Sequence, residues 1–529
     1  MAATSEDTIM EEREELMVSP KLTKHHHPTS KVGRFLKPSA ISIDVQAFPF
    51  NPPTASSFPE KNSLNVSFNG WRKPLTNWKA WVDRMHSLHQ SSWKKAGIEH
   101  AVLNSSYEIM KNDDLILNFA ETWCHETKTF VFVWGEATMT LEDMMVLGGY
   151  SVLGESVLTP VENIESKTVL AKLYETKLEF SRSTSRKADQ FQWLHKFKDS
   201  GSEIEHEAFL ALWLSRFVFP SSYSTVVRNV FPIAVHLARG IRLALAPAVL
   251  ASIYRDLSLL KAKINNHNDE TSVTIWAPLQ LLQIWIWERF PKLRPNFGGT
   301  CKPMFARWEN KNLHIDNFGS NFHRDTEDFC WRPYATNEND DLGNEKKGKW
   351  VVIGDCFDEE LESWGRCLRV SELVGIKGKC IEQYLPHRVA MQFGMDQDIP
   401  GYLPRNIARP KIAWGFYTRP VTDLKLYVPS RFSEPYVTAR YMEWWNNSTG
   451  MHSLLHPMGG NETKTSVVDE SRTERSKDSV GDIRTSNVSR NEASPGNEHT
   501  SRMDLETRIK RLEEVFAYLK AKKYDHSLI

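Results

Sequence analysis

The side-chain patterns able to support chemistry in this 529-residue chain are few, and most are incomplete. His206-Glu207 could begin the H-E-x-x-H of a zinc protease, but no second histidine stands one helical turn further on, so the pair reads as a helix surface feature. There is no glycine-rich phosphate loop, no G-x-G-x-x-G after a strand, and no serine in a G-x-S-x-G elbow. VVIGDCFDEE sets Asp355 and Asp358 at a spacing like that of metallophosphatases, where aspartates bridge two metals. Here Glu359 and Glu360 replace the arginine and glycine of that motif, and its companion elements are missing. Asp396 and Asp398 in GMDQDIP could ligate a metal, but aspartates at this spacing more often bond their own backbone in a turn. His25, His26 and His27 lack the cysteines or carboxylates that would complete a coordination shell. None of the six cysteines forms C-x-x-C, so they read as reduced thiols. No enzyme, cofactor or metal site is expected. Asp355, Asp358, Asp396 and Asp398 are the candidates should a metal-dependent enzyme be present, which is the third reading.

One pattern would suit a polyanion. Arg405, Arg409 and Lys411 lie close to Trp414 and Phe416, and cations interleaved with aromatic rings can neutralise and stack a single nucleic-acid strand. Against it, Lys plus Arg equals Asp plus Glu at 66 each, so no overall field draws the chain to nucleic acid or an anionic membrane. Direct nucleic-acid binding is the second reading.

The elements that must position these residues are mainly helical. Trp78, Trp81, Val82, Met85 and Leu88 recur at helical spacing, with Thr76 or Asn77 placed to cap the start. Asn112 can cap a helix whose Leu115, Ile116, Phe119 and Trp123 line one face. The period then changes: Phe130, Phe132 and Trp134 alternate with Val131 and Val133, and Gly135-Glu136 is expected to make a two-residue hairpin turn. Thr140 and Asp143 have capping-box spacing, Leu141, Met144 and Met145 supply the apolar side, and Gly148-Gly149 ends that helix. Further helices are expected around Leu170–Leu178, Trp193–Phe197, Phe209–Phe217, Tyr223–Arg239, Ala244–Ile264 and Pro278–Arg289. The last of these is apolar almost all round and must be buried. Short strands are expected at Trp350–Ile353 and Arg388–Phe393. The apolar run from Val230 to Leu250 nearly matches a membrane span. It carries Arg239 and Arg242 near its middle, each costing about 2.5–3.5 kcal/mol there, so a buried helix pair is expected and no membrane.

Composition sets the frame, because 40% hydrophobic and 25% charged residues suit a large buried core. Most of the 18 tryptophans must sit in that core or in a partner groove. Residues 1–62 are rich in serine, proline and charge and read as a disordered leader without a signal peptide; residues 63–456 read as one large domain. Residues 457–500 are a polar linker, too poor in apolar groups to offset ordering entropy. Residues 501–524 carry a heptad seam, Leu505, Ile509, Leu512, Phe516 and Leu519, expected to recruit a helical partner or to give weak homo-oligomers. The fold class is therefore mainly α with minor β hairpins, plus a short C-terminal coiled-coil helix.

The segment NDDLILNFAETWCHETKTFVFVWGEATMTLEDMMVLGGYSVLGESV resembles the signature of the plant mobile domain family. A Trp-bearing helix, an aromatic hairpin, a T-L-E-D helix start and a glycine-ended turn follow in that order. EHEAFLALWLSRFVFP, LLQIWIWERFP and PHRVAMQFGMDQDIP agree with the later blocks of the family. The resemblance implies a nuclear adaptor or scaffold that binds chromatin or silencing proteins, in transposon silencing, gene-expression regulation and genome integrity in meristems. It supplies no catalytic residues. Trp134, Gly135, Glu136, Leu141, Glu142 and Asp143 are expected to act as hairpin and capping determinants.

Overall fold

Tryptophans at helical spacing on one helix, packed against a phenylalanine of a second, build part of the core. Trp78, Trp81 and Trp93 lie on one face of α1 (Trp78–Ala96), and all three are fully buried. They meet Phe209 of a later helix, with ring centroids 5.1–5.6 Å apart. Each indole N–H finds an acceptor, Ser105 Oγ, Glu205 Oε1 and His206 Nε2 respectively, so the rings are buried without orphaning a donor. The computed structural model describes residues 8–20, 27–40, 64–182, 187–265, 272–296, 303–312, 329–334, 348–352, 358–376, 378, 380–404, 409–419, 425–430 and 432–449. All of them fall in one unit, residues 1–459. The linker and the heptad residues Leu505, Ile509, Leu512, Phe516 and Leu519 lie outside the described residues, as do His25, His26, Asp355 and Arg405.

Among the described residues the chain is mostly helical with small sheets. In chain order it runs β1 (Met10–Val18), β2 (Thr29–Leu36), β3 (Val66–Phe68), α1, α2 (Glu99–Asn104) and α3 (Asp113–Glu121). The aromatic hairpin follows as β4 (Trp123–Cys124), β5 (Thr129–Phe132) and β6 (Gly135–Ala137), then α4 (Leu141–Val146), α5 (Ile164–Arg182), α6 (Gln190–Phe197) and α7 (Glu205–Trp213). Next come α8 (Phe231–Ala238), α9 (Leu245–Ile264), β7 (Val273–Ile275) and α10 (Gln280–Arg289). The last part holds β8 (Lys349–Val352), α11 (Glu359–Leu368), β9 (Ser371–Val374), β10 (Ile381–Tyr384), α12 (Pro410–Tyr417), β11 (Lys425–Val428), β12 (Val437–Thr438) and α13 (Ala439–Thr449).

Several local signals act as their chemistry requires. Asn112 Oδ1 accepts from Leu115 N at 3.0 Å and starts α3. Every residue of α10 is buried. The run Val230–Leu250 is a buried pair, α8 and the start of α9, broken where Gly240 takes φ +72°. Among the described residues no helix is long and apolar enough to cross a membrane. Cys124, Cys330, Cys367 and Cys380 are unpaired, and Cys367 is buried.

Other expectations are corrected. Asn77 precedes α1 in the left-handed region, φ 67°, and makes no side-chain cap bond. Residues 223–227 are not helical, and a 3-10 turn at Arg228–Val230 leads into α8, whose second residue is Pro232. The segment Arg388–Phe393 is not a strand but part of 3-10 turns over Pro386–Phe393, kinked at Val389. The proline fixes a helical φ at the first turn, and all eight side chains are buried, which alternation would not allow.

The larger correction concerns residues 8–20 and 27–40, the described parts of residues 1–62, where disorder was expected. Residues 10–18 and 29–36 pair antiparallel as β1 and β2, and β12 adds to the other edge of β1 through Met17–Thr438 and Val18–Val437. What holds this sheet is ionic. Asp398, almost fully buried, receives Arg13 and Arg440, accepts from Thr438 Oγ1 at 2.8 Å and caps its own neighbour Ile399 N at 2.8 Å. Asp396 accepts from Arg34 N and Tyr436 N. The two aspartates thus tie distant strands together, and only Asp398 also makes the local backbone bond. Replacing Asp398 with Ala leaves two arginines facing each other in a part-buried site, and should cost about 2–4 kcal/mol. Hydrogen exchange of the β1 and β2 amides is expected to accelerate ahead of α1 and α10. Unchanged protection of β1 would show that Asp398 does not hold it.

Candidate functional site

The segment 134–143 folds as two local devices joined end to end. In the hairpin Phe132 pairs with Gly135, so the turn residues are Val133 and Trp134, not Gly135-Glu136. Tertiary packing decides this register. Trp134 stacks on Phe132 at 4.8 Å and meets Phe329 and Trp331 at 4.9 and 5.3 Å, while Trp445 donates to Val133 O at 2.9 Å. Gly135 follows at φ +144°, a backbone region that disfavours any side chain. Glu136 is then free to point inward from β6. It is buried, accepts from Thr129 Oγ1 at 2.7 Å, and pairs with Arg388 at 2.8 Å. Beside it, Lys128 and Glu382 form a second buried pair at 2.6 Å, and Gln392 clamps both backbone groups of Thr138 at 2.8 Å.

The second device is the capping box of α4. Thr140 Oγ1 accepts from Asp143 N, and Asp143 Oδ2 accepts from Thr140 N at 2.7 Å. Asp143 also carries interactions no local rule foresees. Its Oδ1 receives Arg289 Nη2 at 2.9 Å and Tyr334 OH at 2.7 Å, and both Asp143 and Arg289 have fully buried side chains. Burial opposes the Arg289 charge, but Asp143, Tyr334 and Glu142 outweigh it and raise the guanidinium above its ordinary pKa. Burial and Asp143 push the Tyr334 phenol well up, so it stays a donor. Leu141 is buried, its N–H near Tyr384 OH at 3.3 Å.

Glu142 differs from its neighbours. It is half-buried in the first turn of α4, and burial, aided by the Asp143 charge, pushes its carboxyl up to about 7 against the pull of Arg289 and Arg332. Between the ordinary carboxyl pKa and about 7 the unfolded chain releases a proton that the folded chain keeps, so stability falls as pH rises through that window. Glu142→Gln should therefore stabilise the protein by about 1–2 kcal/mol at pH 8 and by almost nothing at pH 4. An equal effect at both pH values in urea titrations would contradict the assignment.

Of the remaining candidates, Asp358 caps α11 by accepting from Glu360 N and Leu361 N. Among the described residues no group of three or more His, Cys, Asp or Glu is placed to hold a metal ion. Arg409 and Lys411 are exposed at the start of α12, where Ile412 and Phe416 are also exposed, each about half. Trp414 is not a free stacking platform, because it is half-buried against Tyr417. Arg289, Tyr334, Arg388 and Asp398's two arginines were not identified from sequence as site partners. For Arg289 a signal existed: a charge ending an all-round apolar helix needs a buried partner.

Comparison with known proteins places these features. Residues 97–446 match the family model described as plant mobile domain. Protein MAIN-LIKE 2 of Arabidopsis thaliana is 26% identical over 57% of this chain and 45% of its own length. Protein MAINTENANCE OF MERISTEMS, from the same plant, is 25% identical over 56% of this chain and 60% of its own. A third Arabidopsis thaliana protein, serine/threonine-protein phosphatase 7 long form homolog, is 26% identical over 54% of this chain but only 22% of itself. The chain thus spans less than two thirds of the length of each of these relatives. No solved structure matches it.

Proposed function

This chain belongs to the plant mobile domain family, and from that premise we propose that it is a non-enzymatic nuclear adaptor, holding protein partners that act in gene silencing and genome maintenance in meristems. The observation that carries this reading is where the polar chemistry of the family-matching segment goes. Glu136 and Asp143, the carboxylates of that segment with the strongest partners, are committed to buried bonds with Thr129, Arg388, Thr140, Arg289 and Tyr334. Groups consumed in this way hold the fold rigid and leave recognition to the exposed surface. The name of the relative MAINTENANCE OF MERISTEMS supports the tissue, and the phosphatase name of another belongs to a protein of which this chain covers about a fifth.

Affinity purification of the tagged full chain from meristem nuclei, with imaging of the same tag, tests the reading. Recovery of a reproducible set of chromatin or silencing proteins, with nuclear signal, is expected. A chain confined to the cytoplasm, or one recovering nothing beyond an untagged control, would sink it. The exposed cations Arg409 and Lys411 favour direct nucleic-acid binding as the second reading. In that case affinity should fall steeply with salt and disappear on Arg409→Glu.

A further inference from the structure

Two arginines converge on one surface loop without meeting a carboxylate. Arg72, in the link between β3 and α1, is 8% exposed and lays its guanidinium over the Tyr223 ring, 4.4 Å from the centroid. Its Nη2 donates to Ser222 O at 3.0 Å, and its buried Nε has no partner. Arg216 lies in the π-helical turn Leu214–Val218 that follows α7. It donates to Lys73 O from Nε at 3.0 Å and from Nη2 at 2.6 Å, and to Gln190 Oε1 from Nη1 at 2.8 Å. Four N–H groups of Arg72 and two of Arg216 thus remain unused, and neither arginine forms an ion pair among the described residues. A buried cation ordinarily brings a counter-charge with it. Here burial and the nearby Arg72 push Arg216 down to about 10, against the opposing effects of Tyr223 and Asp189. Asp189 Oδ1 is itself engaged at the start of α6, by Phe191 N and Gln192 N.

The loop they meet presents a hydroxyl to solvent. Residues 221–225 read SSYST. Ser222 Oγ accepts from Thr225 N at 3.2 Å and from Thr225 Oγ1 at 2.6 Å, which closes a turn. Gln190 holds the far side of that turn, through its N–H to Ser224 O at 2.7 Å and its Nε2 to Thr225 O at 3.2 Å. Tyr223 stands at the tip, 69% exposed, more than any other described tyrosine. Its oxygen is near both guanidiniums, since a negative charge there raises the pKa of Arg72 and of Arg216.

We propose that Tyr223 is a phosphorylation site and that Arg72 and Arg216 are the clamp that receives its phosphate. The modification requires a protein kinase acting on tyrosine and a nucleoside triphosphate. The phenol oxygen attacks the γ-phosphorus: a P–O bond to Tyr223 forms, the bond to the β-phosphate oxygen breaks to leave the nucleoside diphosphate, and the phenol proton goes to the kinase's base. The product places about −1.5 to −2 charges and three acceptor oxygens beside two cations that have no carboxylate and still hold unused N–H groups. Free phosphate carries the same charge, but the Tyr223 ring under Arg72 holds a covalent phosphate in place at no further cost of capture. The clamp ties the lead-in to α1, the end of α7 and the loop before α8 at one point, so modification stiffens that junction and turns its exposed tip negative. This inference concerns regulation and is independent of what the chain recruits.

The test follows the phosphate itself. The full chain is made with phosphotyrosine at position 223, and phosphorus NMR titrates its second ionisation, ordinarily near pH 6. In the folded chain that ionisation should fall by about one pH unit below its value in urea, because two cations favour the dianion, and added salt should close part of the gap. Arg72→Gln and Arg216→Gln should each remove about half of the displacement. Phosphoserine at exposed Ser221, which lacks the ring under Arg72, should titrate close to its value in urea. That comparison uses the unaltered arginines, so it stands even where an arginine variant fails to fold. The phosphorylated chain should also melt a few degrees above the unmodified one, a gain that millimolar inorganic phosphate does not reproduce. Finally, a tyrosine kinase of broad specificity with ATP should modify Tyr223 in the folded, unmodified chain, as read by peptide mass. Four results would each overturn the proposal: equal titration at 223 and 221, equal titration in wild type and both arginine variants, modification of Tyr223 only after unfolding, or the full melting gain from inorganic phosphate alone.

Discussion

Asp143→Ala should lower the stability of the fold by about 3–5 kcal/mol, the cost typical of breaking a fully buried ion pair by removing one member. Both side chains of the pair are completely inaccessible, and Asp143 additionally serves Tyr334 and the start of α4. Without it, the Arg289 guanidinium remains in the core beside Phe329 with only carbonyl bonding, to Trp331 O, on that side. A loss of this size is a large share of the roughly 5–15 kcal/mol that holds a domain together. Arg289→Met alone should cost somewhat less, because a carboxylate can protonate when its cation is removed, whereas a guanidinium cannot. The double variant Asp143→Leu, Arg289→Met removes both charges and should be more stable than Asp143→Ala alone. Urea unfolding followed by tryptophan fluorescence measures all three. If the double variant is as unstable as the sum of its parts, the two residues are not coupled, and the description of Asp143 as the anchor of α10 is wrong.

What could be read ahead of the structure follows the range over which each interaction acts. The capping box at Thr140 and Asp143 spans three residues, as does the Asn112 cap, and both are seen as written. The hairpin's existence was legible from alternation, but its turn was displaced by two residues, because the stacking of Trp134 on Phe132, Phe329 and Trp331 outweighs the local preference of Gly135-Glu136 for a turn. The partners of the motif were not legible at all. Arg289 lies 146 residues from Asp143, Tyr334 lies 191 away, and Arg388 lies 252 from Glu136. The hairpin of β1 and β2 was hidden for a related reason. MEEREELMV has charge on nearly every interior position, so it resembles an unstructured segment until Arg34 pairs with Glu12, Arg440 comes to Glu15, and Asp398, 385 residues beyond Arg13, pairs with Arg13. Of the cluster Arg405, Arg409 and Lys411, Arg409 and Lys411 are exposed, and Arg405 lies outside the described residues.

Acidification should weaken the protein in a window set by histidine, which opens above the range in which ordinary carboxylates titrate. His206 on α7 lies flat against His89 of α1, rings 3.7 Å apart and 5° from parallel, and its Nε2 accepts the Trp93 indole proton at 2.9 Å. That bond places the His206 proton on Nδ1 and requires the neutral ring. Burial, then His89, then Arg239 push the His206 pKa down to about 3, and burial with Arg84 lowers His89 against the opposing pull of Glu205. His86 and Glu99 pair with each other at 2.8 Å on the same side of α1, and Glu207 on α7 is itself raised by burial. At pH 7.5 the folded and unfolded chains both carry neutral His206. Below about 6.5 the unfolded chain takes up a proton that the folded chain refuses until near 3, so stability is lost as pH falls, by about 1.4 kcal/mol per pH unit for this one ring. His387, buried with its Nε2 facing Gly401 O and its pKa also near 3, adds a parallel loss. Glu142 acts in the opposite sense between pH 7 and the ordinary carboxyl range, so the wild-type curve alone mixes the two. The informative quantity is the difference between wild type and His206→Gln, which keeps an acceptor for Trp93 but cannot titrate. That difference should favour wild type at pH 7.5 and shift toward the variant by about 2–3 kcal/mol at pH 4.5. Parallel stability curves for the two proteins across this range would mean that the stacked histidines at the α1–α7 joint titrate normally.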